Sequence, residues 1–213
     1  MKTEELIGLL ATDAGPVPRR AGEWRFAVAM ALGVAVALAW VAAEYGLRRD
    51  LAQVAATPAF WVKVAVPLAM AACGLAALFR LAHPGTRTGY WALGLVLPLL
   101  VWWGLAAQAL GPADAATRAT LVWGSTWRVC TLNVVATALP VGIALFWALK
   151  GLAPTRPAWT GTVAGGLAGA VGAVVYALHC PEMAAPFLAI WYVLGMALAA
   201  GIGGVAGARV LRW

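Results

Sequence analysis

The sequence predicts an all-α membrane protein, a bundle of six transmembrane helices with both termini in the cytoplasm. Of its 213 residues, 63% are hydrophobic and only 11% are charged, whereas an ordinary soluble domain is about half apolar and about one quarter charged. The apolar residues fall into six continuous runs, each of roughly 20 residues, enough for a helix to cross a hydrocarbon core of about 30 Å. The runs do not alternate in and out, which argues against barrel strands. The stretches between them stay below about 25 residues, too short for a separate soluble domain.

Residues 1–25 read as a cytoplasmic segment and residues 26–213 as the transmembrane domain. The first segment contains TEELIGLLATDAGPVPRR. Thr3 suits a helix N-cap, and Glu4 and Glu5 suit its first turn. Leu6, Leu9 and Leu10 fall at i, i+3 and i+4 with Ile7 beside them, forming an apolar stripe. Gly15, Pro16 and Pro18 end the helix, and Arg19 and Arg20 hold the membrane edge. Helices that lie on a bilayer carry lysine and arginine on the polar face. This one carries Glu4, Glu5 and Asp13, with only Lys2 against them. The stripe Leu6, Ile7, Leu9 and Leu10 is therefore expected to dock into a groove on a partner protein. MKTEELIGLL has no basic region followed by a long apolar core and a small-residue cleavage site, so insertion is expected to rely on the first span.

The spans run from about Phe26 to Leu47, Ala59 to Phe79, Tyr90 to Leu110, Val129 to Lys150, Thr160 to Leu178, and Phe187 to Ala208. Pro67, Pro98 and Pro140 lie inside the second, third and fourth, where neighbouring helices can satisfy the freed carbonyls. Gly161, Gly165 and Gly169 repeat every four residues in the fifth span, and Gly203 and Gly207 do so in the sixth. Small residues at that spacing let backbones approach closely. They predict packing of spans five and six, or else a homodimer face. Trp24, Trp61, Trp91, Trp159 and Trp213, from 12 tryptophans in all, fall at span ends as interfacial anchors.

Orientation follows from the basic residues. With the N-terminus inside, the inner segments hold Lys2, Arg19, Arg20, Arg25, Arg80, Arg87, Lys150, Arg156, Arg209 and Arg212, and the outer ones Arg48, Arg49, Lys63, Arg118 and Arg128. That is ten against five, in the direction of the positive-inside rule. The net charge of +7 thus reads as topology and contact with anionic lipid, with no direct binding of nucleic acid.

Two polar stretches then face the outer side: WGSTWRVCTLN, with Cys130, and ALHCPEMAAPF, with His179, Cys180 and Glu182. Cys73, among alanines in span two, reads as a packing residue. Cys130 and Cys180 share one face and one depth. Two thiols so placed can form a disulfide or bind a thiophilic metal transiently, with His179 as a third ligand and Glu182 nearby; no resident cofactor is expected. Arg128 is the cation expected to activate Cys130. The absence of a C-x-x-C pair disfavours a disulfide oxidase. No nucleophile–base pair, H-E-x-x-H or phosphate loop appears, so the chain reads as a non-enzyme. The alternative is a small transporter or channel. Against it, Glu44 and Lys63 lie near outer span ends where they can snorkel, leaving Gln108 and Asn133 as the other strongly polar groups near the spans.

The blocks TEELIGLLATDAGPV, PAFWVKVAVPLA, STWRVCTLNVVATALP, APTRPAWTG, YALHCPEMAAPFLAIWYVLG and the final RVLRW occur in the order found in the NrsF-like family of bacterial membrane proteins, which the chain resembles over nearly its whole length. LHCPE and the lone cysteine before span four are the most specific parts. The resemblance implies a multi-pass protein of the bacterial inner membrane. It implies an anti-sigma factor that holds an extracytoplasmic-function (ECF) sigma factor in the cytoplasm until a periplasmic signal arrives. It also implies that Cys130 and Cys180 are the sensor cysteines, linked to heavy-metal or oxidative stress.

Overall fold

A computed structural model describes residues 3–12, 21–82, 91–152 and 154–212. The expected helix stop at Gly15, Pro16 and Pro18, the edge residues Lys2, Asp13, Arg19 and Arg20, the stretch around Arg87 and the terminal Trp213 lie outside the described residues, as does the side chain of Leu10.

All regular structure among the described residues is helical. Helix α1 covers Thr3–Thr12, α2 Ala21–Tyr45, α3 Leu51–Ala55, α4 Pro58–Leu81, α5 Trp91–Leu110, α6 Ala115–Trp123, α7 Trp127–Lys150, α8 Pro157–Tyr176 and α9 Ala185–Val210. Five stretches are long and apolar enough to cross a membrane: α2, α4, α6 with α7 (Ala115–Lys150), α8 and α9. Helix α5 has 20 residues, and its apolar stretch, Val96–Leu110, is shorter. The 24 residues of α4 rise about 36 Å, more than a hydrocarbon core. Pro67, Pro98 and Pro140 sit inside α4, α5 and α7 without ending them.

Helices extend past several limits that hydropathy suggests. Helix α2 begins at Ala21 rather than Phe26 because Arg25 is accommodated: its Nη2 donates to the Trp147 carbonyl at 2.8 Å, and its guanidinium lies 4.4 Å from the Trp147 ring centre. Two short helices, α3 and α6, were not expected. Helix α6 starts because Asp114 accepts from the Thr117 amide at 2.7 Å, a local cap that an apolar-run reading passes over.

Helix α8 is the central post. It is buried along most of its length and packs against α9, α7 and α4. The glycine repeat is why it can. A methyl group added to Gly161 would meet the Gly203 carbonyl and the Gly207 Cα; one on Gly165 would meet Ala199 and Gly203; one on Gly169 would meet Met196. The small-residue stripes of spans five and six therefore face each other within one chain, the first of the two uses foreseen for them.

The connecting segments sort to two ends. At one end, residues 46–57, 111–126 and 177–184 touch: Arg48 donates its backbone amide to the Leu178 carbonyl at 3.1 Å, and the Trp191 indole donates to the Val122 carbonyl at 2.9 Å. At the other end, Arg25, Trp147 and Gly151 meet. Helix α9 opens with a wide i→i+5 turn over Leu188–Tyr192. Turns of this kind recur at functional sites, and this one carries Trp191 and Tyr192 into the first end.

Candidate functional site: a buried thiol pair

The short link between α8 and α9 is fixed by its own sequence. Helix α8 closes at Tyr176, whose carbonyl still accepts the amides of His179 and Cys180 at 3.0 Å each. Pro181 then disfavours helical backbone at Cys180, so the chain turns out of the helix there. Cys130 comes from the first turn of α7, where its amide donates to the Thr126 carbonyl at 3.0 Å. The two cysteines are 50 positions apart in the chain and are brought together: the Cys130 thiol donates a hydrogen bond to the Cys180 sulfur, and both residues are fully buried. All three cysteines are free thiols. Cys73 sits elsewhere, in the middle of α4, with its sulfur against Gly94.

The other members of the cluster differ from expectation. Lys63, the sixth residue of α4, does not snorkel to water. It is 0% exposed, and its Nζ donates to the carbonyls of Cys180 at 2.7 Å and Glu182 at 2.9 Å. The same Nζ lies 5.5 Å from the centre of the Tyr192 ring. Arg128, expected beside Cys130, lies instead over the Trp127 ring at 5.3 Å. The cations near the thiols are Lys63 and Arg48. Arg48 reaches the Cys180 carbonyl at 3.3 Å while gripping Asp50 through two bonds of 2.8 Å. That bidentate pair holds the Arg48 guanidinium above its ordinary value and the Asp50 carboxyl below its own.

Glu182 ties the turn to α7. Its Oε1 accepts from the Ser125 amide at 2.7 Å, the Ser125 hydroxyl at 2.6 Å and the Thr126 amide at 3.2 Å. These donors lie just ahead of Trp127, so a carboxylate from a distant segment does the work of a helix cap, and the helix dipole favours its charge. Gly124 makes room for it. Its φ is +52°, and a methyl group there would lie 2.6 Å from Glu182 Oε2.

His179 faces away from the thiols. Its Nδ1 donates to the Gly46 carbonyl at 2.9 Å, and its ring sits between Tyr45 and Tyr176 at 5.4 and 5.6 Å. Among the described residues, no three ligating side chains gather in a way that would hold a metal ion. The two sulfurs are soft donors of the kind a thiophilic metal takes, and the Lys63 ammonium lies beside their turn.

The Cys180 thiol is held below its ordinary value. The largest cause is the hydrogen bond from Cys130, followed, against the opposing effect of burial, by the charge of Lys63, the Tyr192 hydroxyl and the Glu182 amide. The Tyr192 hydroxyl is fully buried and makes no close hydrogen bond, but it lies within electrostatic reach of this sulfur. Cys180 is thus the more acidic thiol of the pair. One signal pointed to Lys63: an ionisable side chain one turn into an apolar span is a functional candidate by default.

Comparison with known proteins identifies the family. A family model described as "Negative regulator of sigma F" matches residues 10–213. The chain is 44% identical over 213 residues to "Probable anti-sigma-F factor NrsF" of Azospira oryzae, and 38% identical over 220 residues to "Anti-sigma-F factor NrsF" of Caulobacter vibrioides. Both alignments span the full length of each partner. No solved structure matches. These names describe regulators, not catalysts. With a match over nearly every residue, the chain belongs to the NrsF family, the negative regulators of sigma F.

Proposed function

We propose that this chain is an inner-membrane anti-sigma factor that binds an ECF sigma factor at the cytoplasmic face and releases it when the pair Cys130 and Cys180 reacts with a thiol-directed stress, an oxidant or a thiophilic metal. The meeting of two thiols from separate segments in one buried cluster carries the reading. A sixth crossing by α5 is part of this reading: with it, residues 46–57, 111–126 and 177–184 fall on one side of the membrane and both termini on the other. The excess of basic residues assigns that second side to the cytoplasm. Helix α1 supports the sigma contact. Leu6, Ile7 and Leu9 are 42%, 60% and 63% exposed, an apolar stripe left open among the described residues. Oxidation joins the two sulfurs as a disulfide, with two electrons and the single proton of the thiol–thiolate pair passing to the oxidant. That draws the α8–α9 turn against α7 and shifts the helices that continue to the other face.

The test uses serine in place of Cys130, of Cys180, and of both, with a reporter of the sigma regulon. Each single variant should lose induction by peroxide and cadmium, and the double should match the singles. Normal induction in the double variant would make the thiols structural and end this reading.

A further inference from the structure

We infer that Lys63 is the third member of the reactive thiol site, a positioning residue whose buried ammonium is the counter-ion of Cys180 and makes it, rather than Cys130, the attacking sulfur. The inference deepens the thiol-pair reading above.

The first argument is burial. A lysine ammonium closed off from water needs an anion or several good acceptors. Lys63 has two carbonyl oxygens, at 2.7 and 2.9 Å, and the face of the Tyr192 ring. No carboxylate pairs with it among the described residues: Glu182 turns its side chain to Ser125 and Thr126, and Asp50 holds Arg48. With the Glu182 carboxylate turned away, the acidic group left on the turn that carries both carbonyls is the Cys180 thiol.

The second argument is asymmetry. Cys180 sits where stabilising groups converge: the Cys130 thiol from α7, the Glu182 amide from its own turn and the Lys63 charge from α4, with the Tyr192 hydroxyl of α9 within electrostatic reach. Arg48 on the α2–α3 link and Tyr176 on α8 complete the titratable groups that face it. Cys130 is a donor to Cys180, in a helix whose own cation, Arg128, is stacked on Trp127. A thiolate among donors and beside an ammonium is the nucleophile of a pair.

The third argument is the consequence. Lys63 is where α4 grips the Cys180 turn. When Cys180 becomes a neutral disulfide, the ammonium loses its counter-ion while remaining buried. The tie between α4 and the turn is then the contact that weakens, and α4 is the helix that senses the reaction.

The probe is methyl methanethiosulfonate acting on the full chain in lipid nanodiscs. The Cys180 thiolate attacks its sulfenyl sulfur, a sulfur–sulfur bond forms, and methanesulfinate leaves with the electron pair of the broken bond. Mass spectrometry of the Cys180 peptide gives the rate against pH. The midpoint of that profile is the readout, because the rate at a single pH mixes thiolate fraction with nucleophilicity. Wild type should titrate below the ordinary thiol range. Lys63→Arg should keep that midpoint, and Lys63→Gln, which retains amide donors for the two carbonyls, should raise it by at least about one pH unit. An unmoved midpoint in Lys63→Gln, or a wild-type midpoint at the ordinary thiol value, overturns the inference. A second measurement needs no variant: the nitrogen-15 resonance of Lys63 Nζ should shift when Cys180 is blocked and stay when only Cys73 is. No shift on blocking Cys180 overturns it equally. These profiles come from purified protein, so they can fail while regulon induction still depends on the cysteines, and the reverse.

Discussion

The Cys180 turn and helix α1 invert the usual distribution of side chains in opposite ways. In the turn, a lysine, two thiols and a tyrosine hydroxyl are buried. In α1, leucine and isoleucine are exposed. Buried polar groups and exposed apolar patches are the informative departures in any fold, because each is unfavourable unless a partner or a reaction justifies it. The partners of the turn are inside the chain, in segments 57 to 132 residues away along the sequence. The partner of α1 is, on the proposed reading, another protein. The difference teaches where each should break: the turn through loss of stability or of thiol chemistry, the helix through loss of binding alone.

The largest expected effect separates them most sharply. Replacing Leu6 and Leu9 by aspartate should weaken sigma binding by about 3–6 kcal/mol, at about 1.5–3 kcal/mol per buried leucine. That is over a hundredfold in affinity by pull-down from solubilised membranes, and it should leave the melting temperature of the protein alone. An equal loss of melting temperature would show that α1 is part of the bundle and erase the contrast. In the turn, Glu182→Ala removes the acceptor for Ser125 and Thr126. It should destabilise the protein by about 2 kcal/mol, the scale of losing charged hydrogen bonds at a partly exposed site, as measured by thermal unfolding in detergent. Glu182→Gln should lose less, because one amide oxygen remains to accept.

A smaller loss, about 1–2 kcal/mol, is expected for Gly124→Ala. Alanine is strained at a φ of +52°, and its methyl group meets the Glu182 carboxylate. Combined with Glu182→Ala, the steric part should vanish, so the two effects should fall short of additivity in a double-mutant cycle. The remaining effect is a pH dependence. The Cys180 thiol is depressed in the folded protein, so its contribution to stability is fully present above the ordinary thiol value of 9.0 and lost as the pH falls through its lowered value. The melting temperature of wild type, relative to Cys180→Ser, should therefore rise from mildly acidic to alkaline pH. A flat difference across that window would mean that the thiol stays protonated at rest.

Much of this was legible in the sequence. Apolar composition and run length determine helices that cross a bilayer, since hydrocarbon excludes unsatisfied backbone. The glycine spacing in spans five and six determines close packing, because a repeat of four puts small residues on one face of a helix. The LHCPE block marks where the chain must turn, because of its proline. What only the tertiary structure decided is which polar groups meet. Lys63 reads equally well as a snorkelling anchor, Arg128 as the cation of the thiols and His179 as a ligand, since each choice depends on the rotation of a helix about its axis. A uniformly apolar helix does not encode that rotation in its own pattern. It is set by contacts between helices: Gly74 seats α4 on Leu167 of α8, with Lys63 turned inward, and Glu182 caps α7 ahead of Trp127, with Arg128 over that ring and His179 on the Gly46 carbonyl.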